Sequence, residues 1–572
     1  MPNDARTAAP VAGAGARITG AELFVDAMEK LGIGDIYTLV GDHLNEVLSV
    51  AGQRGIRIID MRHESGVTHA ADAHGRIHRK PCISLVTGGP GHTNSLTGIA
   101  TAFQAASPMI AVSGAPSTAL AGRQVFQVID QVGMAAPVCK WAAQPASAAQ
   151  IPFYLGKAYQ EAVSGRMGPV HLTIPVNLFA SEAVNPLPMP MPGSNPEMAP
   201  SREEVERLLA LIEQAERPVV IAGSGVWWAD AGRELKQFLS KTKLPYYSVT
   251  MARGVIRDDF GTAMGYSDGA LNKAVHTVFR EADLVVVLGK RIDYRMAMGG
   301  PRLFRPETRF AQVDIVPQEL GLTRRLELGI CADVRSTLRA MNEALPGRPK
   351  EKWASRGGWL KRQRKLRDEW KAQLAAVAED RADPIHPAAF FAELGKALPE
   401  DILYAWDGGD FIHWGRATLP ANTPGGWLRL GPLGTIGSAL PNSIALKRAY
   451  PDKPVAMITG DGSLGFYISE LDTLVRYGLP VVIIVGNDAG WGLERELQGA
   501  LCGSTVACEL RATRYDLVMK GFGGEGENIT SIEEVGPAVK RAFASGKPYL
   551  LNVNIRGARS PFTEWQIAGK TA

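Results

Sequence analysis

The residues best suited to do chemistry in this chain are a Gly-Asp-Gly-Ser turn at 460–463 and an Asn-Asp pair at 487–488. Each group follows an apolar run, 454–459 and 479–485, with the length of a buried parallel strand. The carboxyl ends of neighbouring parallel strands meet at one edge of a sheet, where α/β proteins bind ligands. Glycines let the backbone approach an anion, and Asp461 offers a hard oxygen for Mg²⁺ or Ca²⁺. The pattern therefore predicts an anion- and metal-binding site.

Together the two groups resemble the thiamine diphosphate signature, in which Gly-Asp-Gly is followed by Asn-Asn. The resemblance implies that Asp461, Asp488 and the carbonyl of Gly490 hold a metal on the diphosphate. Asp488 stands where the family has asparagine, so this metal site would carry one more negative charge. A lone Gly-Asp-Gly also forms ordinary tight turns, but the spacing and both strands favour a cofactor site. The cofactor contacts implied by this segment are Gly460, Asp461, Gly462, Ser463, Asp488, Gly490, Trp491 and Gly492.

A candidate activating acid follows another strand-like run near the N-terminus. Arg62-His63-Glu64 comes after residues 55–60 and is similar to the Arg-His-Glu stretch of thiamine diphosphate enzymes. In the family this glutamate hydrogen-bonds N1′ of the aminopyrimidine, which promotes deprotonation at the thiazolium C2. A carboxyl in an apolar pocket is suited to sharing a proton with a ring nitrogen. Alone, a glutamate after a strand is usually a surface residue, and the metal motif favours the catalytic interpretation of Glu64.

Three further glycine-rich loops match the family in their order along the chain. Residues 86–94 resemble its Gly-Pro-Gly loop, and 431–437 resemble the loop that bends the cofactor. The second resemblance implies that the Gly434 carbonyl accepts from N4′ and that Ile436 wedges the two rings apart. Residues 407–411 stand where the family closes over the diphosphate through backbone donors. The contacts implied there are Gly409, Asp410 and Phe411.

The segment just after the metal motif is expected to select the substrate. Glu494 follows Leu493 in a short helix-like stretch, at a position that is apolar in acetolactate synthase-like enzymes. A carboxylate there could take and return a proton. The alternative is a surface ion pair with Arg495 or a helix cap. With 40–43, 126–131 and 405–410, this segment resembles the thiamine diphosphate-dependent 2-hydroxyacyl-CoA lyases of the acetolactate synthase-like superfamily, over about residues 18–556.

That resemblance implies reversible cleavage of the C1–C2 bond of a short 2-hydroxyacyl-CoA, such as 2-hydroxyisobutyryl-CoA, to formyl-CoA and a ketone or aldehyde. Glu494 would move the proton of the 2-hydroxyl group, and His43 and Gln127 would contact the reacting carbonyl or hydroxyl. Residues expected to line the substrate pocket are His92, Val128 and Leu493. A 2-oxo acid decarboxylase or an acetolactate synthase-like carboligase remains an alternative, because pyruvate-type decarboxylases also carry a glutamate at this position. A non-catalytic thiamine-binding relative is a second alternative.

Strand-like runs alternate with helical patterns along most of the chain, which predicts an α/β protein with parallel sheets flanked by helices. The resemblance implies a cofactor bound between two subunits, with Glu64 and Asp461 from different chains of a homodimer or homotetramer. The predicted segments are a flexible arm 1–17, a pyrimidine-binding domain 18–185, a proline-rich linker 186–201, a middle domain 202–345, a charged helical connector 346–385, a thiamine diphosphate- and Mg²⁺-binding domain 386–556, and a tail or lid 557–572.

The middle domain carries a partial Rossmann-like turn at 222–225, which is weak evidence for a dinucleotide because the third spaced glycine is missing. Relatives hold FAD, an ADP-containing molecule such as coenzyme A, or nothing in this domain. Arginines near strand ends could grip phosphates, and Asp314 could receive a ribose hydroxyl. Surface salt bridges are the alternative for each arginine. The candidate CoA contacts are Arg253, Arg291, Arg295, Asp314 and Arg324.

Composition excludes several other classes of function. The chain has 572 residues, 45% of them hydrophobic and 21% charged, and a net charge of +4, too small at this length to indicate a nucleic-acid partner. Its five cysteines lack CxxC spacing, which argues against zinc and fits reduced thiols. The sequence shows neither a signal-like segment nor an apolar run near eighteen residues. We therefore expect a cytoplasmic protein with no nucleic-acid or membrane partner, and the resemblance to the lyases implies an acyl-CoA substrate.

Overall fold

Apolar runs of the chain form three sheets of six strands each, and every pairing within these sheets is parallel. The predicted α/β class with three parallel sheets is confirmed. The strands, in chain order, are β1 Ile18–Thr19, β2 Asp35–Leu39, β3 Arg57–Asp60, β4 Ile83–Val86, β5 Met109–Ala115, β6 Ala142–Ala143, β7 Pro169–Pro175, β8 Glu182–Ala183, β9 Pro218–Ala222, β10 Tyr246–Ser248, β11 Ala263–Tyr266, β12 Leu284–Leu288, β13 Arg309–Asp314, β14 Leu328–Cys331, β15 Leu403–Trp406, β16 Trp427–Arg429, β17 Val455–Gly460, β18 Val482–Asn487, β19 Glu525–Ile529 and β20 Tyr549–Asn554.

This computed structural model describes residues 18–183, 185–191, 193, 197–349 and 356–570. The chain divides into two compact units, residues 1–195 and 196–572. The predicted flexible arm lies outside the described residues, as do parts of the predicted linker and connector. The described α-helices are Gly20–Lys30, Asn45–Gln53, Glu64–His78, Pro90–Ala105, Gln131–Ala135, Ile151–Val163, Val176–Ala180, Arg202–Gln214, Ser224–Trp228, Gly232–Thr242, Ala274–Glu281, Val334–Ala344, Gly357–Val377, Pro387–Ala397, Asp410–Thr418, Ala439–Ala449, Asp461–Leu464, Glu470–Arg476, Gly492–Cys502, Tyr515–Gly521, Ile532–Ala544 and Pro561–Lys570.

The first unit contains a sheet of order β3-β2-β4-β5-β7-β6 and a small antiparallel pair, β1 with β8. Its core is formed by buried aliphatic and aromatic side chains such as Phe24, Ile110 and Phe179. The helix Glu64–His78 packs against the helix Pro90–Ala105. Both helices begin just beyond the carboxyl ends of their strands, which brings their first turns to one edge of the sheet.

The second unit contains two sheets, of orders β11-β10-β9-β12-β13-β14 and β16-β15-β17-β18-β20-β19. Part of the first sheet shares a hydrophobic cluster with the second, since Tyr266 and Leu271 lie in one cluster with Trp406 and Trp427. The long helix Gly357–Val377 joins them and buries Trp359 and Trp370 on its inner face. The middle and cofactor regions therefore form one packed body.

The two strands of the metal motif lie side by side as β17 and β18, with Gly460 opposite Gly486. The helix Glu470–Arg476 connects them, as the spacing predicts. The strands start one to three residues later than the apolar runs, because Pro454 and Pro480 have no N–H for the ladder. Parallel pairing places both motif halves at the same sheet edge.

The C-terminal segment forms a helix, Pro561–Lys570, that packs on the second unit. Phe562 stacks on His413 at 4.0 Å between ring centroids, and Arg302 lies 3.3 Å above the Trp565 ring. Lys273 forms a salt bridge with Glu564 at 2.7 Å. The predicted tail is thus docked on both parts of this unit. Within the described ranges, no helix is long and apolar enough to cross a membrane.

Candidate active site

The metal motif forms two loops that contact each other at the carboxyl ends of β17 and β18. Asp461 begins a four-residue helix and is buried, and its Oδ2 accepts the N–H of Gly490 at 3.1 Å. Ala489 has a φ of 54°, in the left-handed region, so the chain turns sharply after Asp488. This turn brings the two aspartates and the Gly490 backbone together, as the sequence predicts.

The two aspartates form a site of concentrated negative charge. Burial, followed by the charge of Asp488, raises the pKa of Asp461 to about 7. Burial also raises the pKa of Asp488, whereas Arg495 opposes this shift. Among the described residues there is no group of three or more His, Cys, Asp or Glu side chains that could hold a metal. Two carboxylates and a carbonyl fit Mg²⁺, which keeps waters or phosphate oxygens for its other positions.

Arg495 connects this site to a later segment of the chain. Its Nη1 lies 3.2 Å from Asp488 Oδ2, and its Nη2 lies 2.9 Å from Glu509 Oε2. The segment around Glu509 is also bound through the backbone, because Trp491 donates to the Cys508 carbonyl at 2.8 Å. Arg495 therefore neutralises part of the charge that Asp488 adds.

A cavity of about 170 Å³ opens beside the metal loop. It places most of the predicted cofactor contacts together, whereas Gly434 is not among the lining residues. The Trp491 ring packs on Gly462, where a Cβ would lie 2.7 Å from it. Close backbone approach thus shapes the cavity, whose lining includes Gly408, Gly409, Asp410, Phe411, Ile436, Gly460, Asp461, Gly462, Ser463, Asp488, Gly490, Trp491, Gly492, Leu493 and Glu494.

Two further buried aspartates support the loop predicted to close over the diphosphate. Asp407 accepts the N–H groups of Gly408 at 2.6 Å and Ala439 at 2.9 Å, and burial raises its pKa to about 7. Asp410 accepts the Ser560 N–H at 3.1 Å and the Thr563 hydroxyl at 2.5 Å. Burial raises the pKa of Asp410 to about 6, although both partners oppose the shift. The Asp410 carboxyl thus holds the C-terminal segment, and the backbone N–H groups of its helix start face the cavity region.

Glu494 lines the cavity from the first turn of the helix Gly492–Cys502. Its side chain is exposed within the second unit. The alternative ion pair with Arg495 does not form, because that arginine is bound to Asp488 and Glu509. Within the described part of the chain, no salt bridge holds the Glu494 carboxylate beside the cavity.

In the first unit, Glu64 lies at the start of the helix Glu64–His78, and Asn94 donates to its Oε2 at 3.0 Å. His63 caps this helix by accepting the Ser65 N–H at 3.1 Å. A Cβ added to Gly91 of the Gly-Pro-Gly loop would lie 3.6 Å from the same carboxylate. Asn94 and Glu64 lie 30 residues apart in the chain. The hydrogen bond between them thus brings two separate motifs together.

His43 has a defined protonation pattern. Its Nδ1 accepts the backbone N–H of Gly88 at 3.1 Å and lies 3.0 Å from the Thr87 hydroxyl. Because a backbone N–H can only donate, Nδ1 carries no proton and the neutral ring carries it on Nε2. His43 is therefore held against the Gly-Pro-Gly loop through Nδ1, and its Nε2–H is a hydrogen-bond donor.

The remaining predicted contacts of this unit differ in their surroundings. His92 is fully buried, lies 2.9 Å from the Ser113 hydroxyl and stacks near His171. Its buried side chain thus supports the loop, and its predicted place in the substrate pocket stays a prediction. Gln127, with a φ of 63°, packs against Gly89 of the loop. Val128 is 53% exposed and remains available to a ligand.

The arginines predicted to bind CoA are mostly occupied by the protein. Arg253 is buried and bound to Asp258, and Arg295 forms a salt bridge with Asp268 at 2.9 Å. Arg324 donates to the carbonyls of Gly299, Arg305, Pro306 and Thr308 at 2.7–2.9 Å. Most of their donors are used in the fold, although the buried Nε of Arg253 has no hydrogen-bond partner among the described residues, and CoA binding by these three arginines stays a prediction.

The other two candidate CoA contacts also stay predictions, and they lie at the ends of strands. Arg291 is half-buried and bonded to Glu319 at 2.9 Å. Asp314 ends β13 and accepts the Val316 N–H at 3.0 Å. Both lie at the carboxyl edge of the middle sheet, where α/β sheets bind ligands.

Several residues of the site could not be found from the sequence. Glu509 and Ser560 are ordinary polar residues without a motif, and each supports the site through a partner elsewhere in the chain. Residues 555–558 also line the cavity, although they follow β20, which lies beyond the motif in the chain. These residues are recognised as part of the site only in the structure, where segments distant in the chain meet at one edge of the sheet.

Comparison with known proteins agrees with this geometry. The thiamine pyrophosphate enzyme family matches with its N-terminal TPP binding domain over 18–134, its central domain over 205–341 and its C-terminal TPP binding domain over 407–553. A probable acetolactate synthase of Mycobacterium bovis is 34% identical over 93% of this chain and 94% of its own length. The 2-hydroxyacyl-CoA lyase 2 of Danio rerio is 28% identical over 96% and 93%. The 2-hydroxyacyl-CoA lyase 1 of Homo sapiens is 28% identical over 94% and 95%. The chain therefore belongs to the thiamine pyrophosphate enzymes.

Proposed function

We propose that this chain is a Mg²⁺-dependent lyase that cleaves the C1–C2 bond of a short 2-hydroxyacyl-CoA to formyl-CoA and a ketone or aldehyde. The observation that carries the proposal is Glu494, which lines the cofactor cavity and has no salt bridge among the described residues. A general base needs access to the hydroxyl whose proton it removes. The lyase relatives that match nearly the whole chain support the same reaction class.

The roles of this chain's residues follow from their places in the site. Thiamine diphosphate, when bound, supplies a nucleophilic carbon and an electron sink. Asp461, Asp488 and the Gly490 carbonyl would hold Mg²⁺ on its diphosphate. Glu64, oriented by Asn94, would hold a proton at the aminopyrimidine nitrogen.

Glu494 would take the proton from the substrate 2-hydroxyl oxygen and later return it to the carbon that has lost its bond. The Nε2–H of His43 and the amide of Gln127 would orient the substrate oxygens. Leu493 and Val128 would line a small acyl pocket. We further propose a cytoplasmic homodimer or homotetramer with its active sites at subunit interfaces.

A second candidate function is an acetolactate synthase-like carboligase or a 2-oxo acid decarboxylase. The observation in its favour is the 34% identity to the probable acetolactate synthase of Mycobacterium bovis. Such an enzyme would use a 2-oxo acid such as pyruvate and would not need CoA. The substrate of this enzyme would carry a free carboxylate, whereas the substrate of the lyase carries a CoA thioester.

The experiment that separates the two is a turnover assay with thiamine diphosphate and Mg²⁺. One reaction receives 2-hydroxyisobutyryl-CoA and a parallel one receives pyruvate, and formyl-CoA with acetone is compared with CO₂. We expect formyl-CoA release that falls by about 100-fold or more in Glu494→Gln. Glu496→Gln on the same helix is the control, because Glu496 is bound to Arg559 at 2.6 Å.

Pyruvate turnover with an inert CoA thioester would contradict the lyase proposal and favour the second candidate. Equal losses in Glu494→Gln and Glu496→Gln would contradict the proton-transfer role, because both variants remove one charge from the same helix. Failure of both substrates in a protein that binds thiamine diphosphate would exclude both assignments.

A further inference from the structure

The junction between the middle and cofactor regions contains a group of buried arginines around one tyrosine. Tyr266 ends β11, and its ring lies 4.3 Å from the Arg253 guanidinium carbon and 5.5 Å from that of Arg416. Arg416 lies on the helix Asp410–Thr418, and Arg429 ends β16. The cluster thus lies at the carboxyl ends of two edge strands.

Two aspartates at this junction already serve other arginines. Asp258 binds Arg253, with an Oδ1 to Nη1 distance of 2.8 Å. Asp268 binds Arg295 at 2.9 Å. Burial lowers the pKa of Arg416, and the charge of Arg295 adds to this effect, whereas the charge of Tyr266, a hydrogen bond to Tyr266 and the charge of Asp268 oppose it. Positive charge is therefore concentrated where the protein excludes water.

Arg416 has donors that the described chain does not satisfy. Its side chain is 1% exposed, and its Nη1 donates to His413 Nδ1 at 3.0 Å. Its Nε and Nη2 have no hydrogen-bond partner among the described residues. A buried, charged donor without an acceptor is costly, so native proteins supply a partner.

Tyr266 adds a donor to the same place. Its oxygen accepts the Trp427 indole N–H at 2.7 Å, which leaves its own O–H to be donated. A group of donors without a matching acceptor is the arrangement that binds an anion. Water alone would satisfy the hydrogen bonds but not the charge.

We propose that Arg416 and Tyr266 bind a small monovalent anion, of the chloride or formate class, between the middle and cofactor regions. The anion accepts from Arg416 Nε and Nη2 and from the Tyr266 hydroxyl. It neutralises the arginine and connects the end of β11 to the helix Asp410–Thr418. This site is separate from the metal motif and does not depend on which carbon–carbon reaction the enzyme performs.

The test is the thermal stability of the full-length protein as chloride, bromide or formate replaces gluconate at constant ionic strength. Because a ligand that binds only the folded state stabilises it, we expect the Tm to rise by about 2 °C or more with each small anion. Arg416→Met should abolish the rise. Arg364→Met, at an exposed arginine bonded to the Gly261 carbonyl, should retain it.

A crystal soaked in bromide gives the direct observation, with an anomalous peak expected between Arg416 and Tyr266. A Tm independent of the anion, or an equal dependence in Arg416→Met, would overturn the proposal. If Arg416→Met does not fold, Tyr266→Phe serves instead, and it should weaken the anion effect. An ultraviolet tyrosinate signal at neutral pH that Tyr266→Phe removes, without an anion effect, would show that ionised Tyr266 is the counter-ion.

Discussion

At the scale of single residues, the cofactor site depends on where side chains are absent as much as on its carboxylates. Gly408 has a φ of 101°, and a Cβ there would lie 2.7 Å from the Gly460 backbone nitrogen. Neither the conformation nor the contact can be relieved by a rotamer change. The loop 407–411, which is predicted to close over the diphosphate, therefore needs glycine at position 408.

Gly408→Ala should lower the free energy of unfolding by about 2 kcal/mol or more and weaken thiamine diphosphate binding. Thermal melting and calorimetric titration of the cofactor measure the two effects. Gly465→Ala is the matched control, because Gly465 has a helical φ of −58° and no atom within 4 Å of an added Cβ. Equal effects of the two substitutions would refute the steric argument.

Asp410 gives a prediction about pH, because burial raises its pKa to about 6. The unfolded chain ionises this carboxyl at lower pH than the folded chain, so its contribution is present at low pH and is lost as the pH rises through about 6. Asp410→Asn keeps an acceptor for Ser560 but cannot ionise. Its stability relative to wild type should therefore improve by about 2 kcal/mol between pH 4 and pH 7.

The measurement is the Tm of both proteins, without cofactor, across this pH range. A constant difference between Asp410→Asn and wild type would show that the Asp410 carboxyl titrates as in the unfolded chain. A difference that grows with falling pH would contradict the sign of the shift.

At the scale of elements, the metal loop is braced by the segment around Glu509. Leu510 donates to the Ala489 carbonyl at 2.7 Å, and Arg495 joins Asp488 to Glu509. This brace is local to one edge of the sheet. It fixes the backbone between the two predicted metal ligands, Asp488 and Gly490.

Arg495→Met should weaken Mg²⁺ binding in the presence of thiamine diphosphate by about tenfold, because the loop that positions Asp488 and Gly490 loses its brace. Glu509→Gln should have a much smaller effect, since Glu509 is 69% exposed and exposed pairs contribute about 0–1 kcal/mol. Calorimetric titration of the metal and hydrogen exchange of 489–510 measure both. A larger loss in Glu509→Gln than in Arg495→Met would contradict this order.

At the scale of the whole molecule, the middle and cofactor sheets are joined through Asp258. Asp258 binds the buried Arg253 and accepts the Ala421 N–H at 3.0 Å. The Arg253 guanidinium also lies 5.3 Å from the centre of the Trp427 ring. One ion pair thus links two segments from different sheets.

Arg253→Met should lower the free energy of unfolding of this unit by about 3 kcal/mol, because it leaves Asp258 without its buried partner. Arg257→Met is the control, since Arg257 forms only exposed pairs with Asp259 and Glu400. Thermal melting with hydrogen exchange of β11 and β16 gives the comparison. Similar changes in both variants would refute the role of the pair.

The resemblance to the thiamine diphosphate signature implied the cofactor, and the sequence by itself determined the fold class and the positions of β17 and β18. These follow from local signals, because strand length, turn glycines and the βαβ connection are encoded within about thirty residues. The metal motif could be predicted because parallel pairing leaves few places for two loops that follow adjacent strands.

Only the tertiary structure decided which polar side chains are available for chemistry. Arg253, Arg295 and Arg324 are chemically equivalent in the sequence, yet the fold uses their donors inside the protein. Glu494 and Arg495 are neighbours in sequence, but only Arg495 is bound, to a residue fourteen positions away. Burial and pairing depend on contacts between distant segments, and residue type alone does not encode them.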